Sequence, residues 1–191
     1  MQLSPIGWAL RPLKNYANFS GRASRAEFWW FFLFMIVVWL VAYFVLIGSL
    51  IGAGANQASP SAGLAGAIGG VGIFLILFWL AMLIPSIAVQ VRRLHDTDRS
   101  GWWIGGFYLL YGLYIVLMFG SLGSIMASQA AGTSPDPQQV FGGTFIVSMI
   151  LGMAMFVYMI ALIVFYCLAG TRGPNRYGED PYGPDVERVF A

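Results

Sequence analysis

Four stretches of this chain, at about 28–51, 68–91, 102–125 and 144–168, run without a single Asp, Glu, Lys or Arg. Each is as long as a helix needs to cross a bilayer core, about 20 residues at 1.5 Å rise per residue. Their unbroken apolar character argues against a β-barrel, whose strands alternate apolar and polar positions over about ten residues. The exclusion of charge has a physical cause, because an Arg or Asp at mid-membrane costs about 2.5–3.5 kcal/mol on insertion scales. With 59% of residues hydrophobic and only 9% charged, the chain has too little polar surface to cover a soluble fold. We therefore expect an all-α integral membrane protein, a four-transmembrane-helix bundle. A cleaved signal peptide is not expected, since the first apolar run lies behind 27 residues, is too long for an h-region, and precedes three more.

The ten basic residues fall in three places. Arg11, Lys14, Arg22 and Arg25 precede the first span, Arg92, Arg93 and Arg99 separate the second from the third, and Arg172, Arg176 and Arg188 follow the fourth. The segments at about 52–67 and 126–143 hold no Lys or Arg, and Asp136 is their one acid. Rich in Gly, Ala, Ser, Pro and Gln, they read as flexible connectors. Lys and Arg concentrate on the cytoplasmic side of membrane proteins, so both termini and the 92–101 loop are expected in the cytoplasm. The layout is then a cytoplasmic amphipathic N-terminal segment at 1–27, a transmembrane domain at 28–168 and a cytoplasmic Gly/Pro-rich tail at 169–191.

Scarce charge gathers in RRLHDTDRSGWW, residues 92–103, which holds three arginines, two aspartates and the one histidine. A catalytic reading makes His95 a general base oriented by Asp96 or Asp98. No nucleophile, metal-ligand set or phosphate-cradling glycine loop accompanies it, so no catalytic, cofactor-binding or metal-binding residue is assigned. One cysteine and one histidine also make no zinc site. The architectural reading is a hairpin whose charges compensate, whose tryptophans sit at headgroup level, and whose His95 is an exposed interfacial ring. SRAE at 24–27 fits a capping box, with Ser24 as N-cap and Glu27 reaching back to its amide; the competing role for Glu27 is an ion pair with Arg22, Arg92 or Arg93. Ser100 or Asp98 suits the cap of the third span and Gly170 the C-cap of the fourth. Pro85 is expected to kink the second span, and Tyr177 and Tyr182 to press on the membrane surface or on other loops. Small residues four apart at Gly48/Gly52, Gly66/Gly70, Gly101/Gly105 and Ser148/Gly152 suggest close helix packing.

FSGRASRAEFWWFF (19–32), RRLHDTDRSGWW (92–103) and GTRGPNRYGEDP (170–181) together resemble, in order and spacing, the bacterial inner-membrane family called domain of unknown function 805. The likeness runs from about Leu13 to Pro181 and departs in its longer segment at 52–67. It implies a small multi-pass protein of the bacterial cytoplasmic membrane, with no established activity and no catalytic residues to carry over. All three motifs fall on the side expected to be cytoplasmic. The candidate cluster there is Arg22, Arg25, Glu27, Arg92, Arg93, His95, Asp96, Asp98 and Arg99. Acids interleaved with these arginines disfavour nucleic acid as a partner. Besides the bilayer itself, anionic lipid headgroups or a membrane protein partner are the expected ligands of a non-enzymatic module. The alternative is a small-molecule transporter or channel subunit acting as a homo-oligomer.

Reporter fusions test the topology. A fluorescent protein that folds only in the cytoplasm is expected to glow when fused after Ala191, and a periplasmic phosphatase to be active when inserted within 56–62. A dark first fusion or an inactive second one would overturn the orientation.

Overall fold

A computed structural model describes residues 4–55, 60–133 and 142–181. The helices are α1 (Pro5–Lys14), α2 (Arg25–Ala55), α3 (Pro60–Asp96), α4 (Trp102–Ala130) and α5 (Gly143–Cys167). The last four are each long and apolar enough to span a membrane. The described residues contain no strand beyond an isolated bridge between Asn175 and Gly178. The expected connector at 52–67 is largely helical, since α2 continues to Ala55 and α3 starts at Pro60. Alanine is the best helix former, and a proline in the first turn gives up only an N–H that lacks an intrahelical partner. The second connector also begins as helix, to Ala130; the remainder at 134–141, like Tyr182 and the rest of the tail, lies outside the described residues.

Two compact units divide the chain: the residues through Asp98 together with those from Gly170 on, and Arg99–Ala169. In the first, α2 and α3 pack along each other and α1 lies against both. Ser4 starts α1 by accepting the amide of Gly7 at 3.1 Å, ahead of Pro5 in the first turn. Ala9 and Pro12 are buried while Ile6 and Leu10 stay exposed, so α1 has a packed face and an outward apolar one. Ala23, Phe28, Phe31, Ala88, Val89 and Leu94 form the core. Most other apolar side chains of the spans are exposed, which would be untenable in water and is the normal state of a helix facing lipid.

The second unit is the α4/α5 pair. Trp103 meets Phe165 edge to face at 5.1 Å, and Tyr158 donates its hydroxyl to the Trp103 carbonyl at 2.7 Å. Gly106 leaves the space that this phenol needs. Of the small-residue pairs, Ser148/Gly152 meets a facing helix, with Gly152 against Tyr114 and Ser148 buried. Gly48, Gly52 and Gly70 meet nothing within 4 Å among the described residues, Gly105 lies under its own helix's Trp102, and the surroundings of Gly66 lie outside the description. Helix α5 ends with Leu168 as its C-cap rather than with Gly170.

Pro85 lies buried within α3. Lacking an N–H, it leaves the carbonyl four residues earlier, Ala81, without its helical donor. The hydroxyl of Tyr16, just beyond α1, donates to that carbonyl. Proline in a membrane helix is tolerated when a neighbour re-satisfies the freed group, and Tyr16 performs this role. Tyr16→Phe should lower stability by on the order of 1 kcal/mol, measured by thermal unfolding in detergent. In a Pro85→Ala background, where residue 85 regains its donor, the same substitution should have almost no effect. An equal loss in both backgrounds would show that the hydroxyl does not serve this carbonyl.

Candidate polar site at the end of the first unit

Helix α3 ends in Arg92, Arg93, Leu94, His95 and Asp96, and like every helix it leaves its last carbonyls without intrahelical donors. The chain ends it with Asp98 at φ +57°, a left-handed conformation that aspartate tolerates better than most residues. Four carbonyls at this end receive donors from beyond the helix. Ala23 donates its amide to Arg92 at 3.0 Å, and the Thr97 amide and hydroxyl go to Leu94 at 3.1 and 3.0 Å. His95 accepts from the Asp98 amide at 3.0 Å and from Asn175 Nδ2 at 2.9 Å. Asp96 accepts from the amide of Thr171 at 2.8 Å. The segment before α2 and the tail thus meet at this helix end.

Side chains repeat the pattern. The Asp96 carboxylate is fully buried and shared by two guanidinium groups: Arg22, with Nε at 3.0 Å and Nη2 at 2.9 Å from Oδ1, and Arg93 on Oδ2. Arg22 also donates to the carbonyls of Thr171 and Gly173, so one side chain joins the N-terminal segment, α3 and the tail. Gly170 packs on the same carboxylate, where a Cβ would overlap its oxygens. Its glycine therefore answers to close approach and not to the helix cap expected of it. Glu27 is likewise buried between two arginines, with Oε1 2.7 Å from Arg92 Nη1 and Oε2 3.4 Å from Arg11 Nε. Ser24 does cap α2, accepting the Glu27 amide at 3.1 Å. The reciprocal half of the capping box is replaced, because the Glu27 carboxylate is engaged by arginines.

His95 is partly buried rather than exposed. Its ring stacks on Tyr177 with centroids 3.9 Å apart and planes within 3°, and Nδ1 lies 3.2 Å from the Gly21 carbonyl. Asp96 does not orient it as a general base would require, since both carboxylate oxygens meet arginines. Asp98 pairs with Arg176 at 3.0 Å at an exposed position, and the Trp102 amide has Ser100 Oγ at 3.3 Å. Arg25 is exposed at the start of α2. Arg99 belongs to the second unit, where its guanidinium lies over Phe165 at 4.1 Å. The contributions of Arg11, Thr171, Gly173, Asn175 and Arg176 were not anticipated individually. Among the described residues no group of three or more metal-ligating side chains converges.

Asp96→Ala should destabilise by about 3–5 kcal/mol, the usual consequence of leaving buried charges without their partner. His95→Ala should cost on the order of 1 kcal/mol through the lost Tyr177 stack, more than an exposed ring would. Melting temperatures of the two purified variants test this order, and a reversed order would show that the arginine–carboxylate trio does not hold the site together.

Comparison with known proteins places the chain in a family. Residues 16–179 match the family model described as Protein of unknown function (DUF805), a range that contains most of the polar site. The chain is 31% identical over 176 residues to Inner membrane protein YhaH of Escherichia coli K12, covering 92% of this chain and 97% of that one. It is 31% identical over 174 residues to Inner membrane protein YhaI of the same organism, covering 91% and 94%. The Uncharacterized protein YiiR, also from that strain, is 29% identical over 167 residues, covering 85% of each. No solved structure matches. With four spanning-type helices and these relatives, the chain belongs to the DUF805 family and is a multi-pass inner-membrane protein.

Proposed function

We propose that this protein is a non-enzymatic membrane module whose arginine-rich polar end, on the cytoplasmic side, binds anionic lipid headgroups. The observation that carries the reading is a charge surplus: Asp96 is shared by Arg22 and Arg93, a trio that keeps one net positive charge, next to the arginines held by Glu27. These groups lie where spanning helices begin and end, at Arg25 and Asp96, a position that suits headgroup depth. A basic side chain beside an anionic leaflet contributes about 1 kcal/mol of attraction, and exposed Arg25 and Lys14 stand near the same end in sequence. Tryptophans 29 and 30, at the start of α2, are interfacial in character.

The test is the composition of lipid retained on the purified native protein, read by mass spectrometry against the bulk membrane extract. We expect phosphatidylglycerol or cardiolipin to be enriched about two-fold or more, and the enrichment to fall as salt screens the arginines. Retained lipid with the bulk composition, together with a reproducibly co-purifying protein, would replace this reading with that of a protein-binding module.

A further inference from the structure

Arg92 is buried, and among the described residues its Nε and Nη2 have no hydrogen-bond partner. Its Nη1 touches Glu27 Oε1 at 2.7 Å, an ion contact that lies off the hydrogen-bond direction. The two unused nitrogens form a specific pair. On a guanidinium, Nε–H and one N–H of Nη2 point the same way and make the side-on fork that matches two oxygens of a carboxylate or phosphate. Arg22 directs this same edge at its anion, with Nε and Nη2 at 3.0 and 2.9 Å from Asp96 Oδ1. Within one site, then, one arginine has its fork on a carboxylate and another holds the equivalent fork unused in a buried place. A buried donor left unmade is costly, and more so on a charged group, so the arrangement favours an occupant.

An occupant enters only when what covers the fork moves. Helix α1 is the element bound to the same carboxylate, through Arg11 at 3.4 Å from Glu27 Oε2. The Arg11 side chain is 40% exposed, and so open a pair is weak. The outward face of α1 carries exposed Ile6 and Leu10, with basic Lys14 at its end, which suits a helix that can lie in the membrane interface.

We infer that the Nε/Nη2 edge of Arg92 is a phosphate subsite, taking two oxygens of a phosphate group, and that the half-exposed Arg11 side chain of α1 is the cover that swings aside to admit it. The fork fits an anion with two oxygens side by side; that this anion is a phosphate, supplied by a lipid headgroup, rests on the function proposed above.

The full-length protein in nonionic detergent is titrated with short-chain phosphatidylglycerol and, separately, with inorganic phosphate, and binding is followed by thermal shift and tryptophan fluorescence. Two variants accompany it. Arg92→Lys keeps a charge for Glu27 and loses the fork, and should bind phosphatidylglycerol about ten-fold more weakly. Arg11→Gln loosens the cover and should bind about two-fold more tightly, whereas a merely attractive arginine would bind more weakly when removed. If Arg92→Lys does not fold, the sign of the Arg11→Gln effect decides alone: tighter binding supports the covered subsite and weaker or unchanged binding overturns it. Inorganic phosphate bound with the same variant pattern, and phosphatidylglycerol not bound, would uphold the subsite and overturn the lipid source. Phosphatidylglycerol bound equally by native protein and Arg92→Lys would overturn the subsite and leave the lipid-binding module standing. Binding of neither ligand would overturn both.

Discussion

The carboxylate of Asp96 is a charge removed from water at the end of a membrane helix, and much of the first unit is arranged to make that tolerable. Desolvating an ion costs several kcal/mol even after relaxation, and a partner recovers it only with good geometry and with its own remaining groups satisfied. Both conditions are met. Two guanidinium groups flank the carboxylate, and Arg22 directs its other donors to the carbonyls of Thr171 and Gly173. Such a network is a poor source of net stability compared with apolar packing, but it permits one arrangement of three segments distant in sequence. Arg22, Asp96 and Thr171 have few other ways to be satisfied together.

The spans obey a different logic. In each unit two long helices pack with modest contact and leave most of their apolar surface outward, because lipid solvates a leucine as well as another leucine does. Specific structure is therefore concentrated where polar groups must be matched. The Tyr16 hydroxyl on the carbonyl that Pro85 frees is the same rule applied inside a span. The polar end carries the matched hydrogen bonds and ion pairs, and the spans carry little of either.

The four spans are legible because their signal is long: a window of some two dozen residues without charge hardly arises except in a helix that crosses lipid. The meeting of motifs near 22–27, 92–98 and 170–180 is expected from their shared polarity, yet the pairing within it is not readable. Nothing in the order of residues distinguishes Arg22 from Arg92 as the partner of Asp96; that depends on which side of α3 each faces. Glu27 illustrates a competition that local spacing misjudges, since a capping-box pattern is overridden when two arginines approach from α1 and α3. Gly170 has the look of a helix terminator and is instead small because a carboxylate lies against it. Arg11 gives no local signal because its partner is 16 positions away, outside any helical repeat. The Gly/Ala segment after the first span resembles a linker by composition, although its alanines are good helix formers.

The tail's place at the end of α3 has a consequence for biogenesis. Ribosomes deliver the chain from the N-terminus, so Arg22 and Asp96 emerge long before Thr171, Gly173 and Asn175. Two further spans must be made and inserted in between, and during that interval the carbonyls of His95 and Asp96 lack the tail's donors. The polar end therefore cannot close until the residues after the fourth span have been made. A chain that ended before residue 170 would leave Arg22 without the carbonyls of Thr171 and Gly173, and the end of α3 without the donors of Thr171 and Asn175.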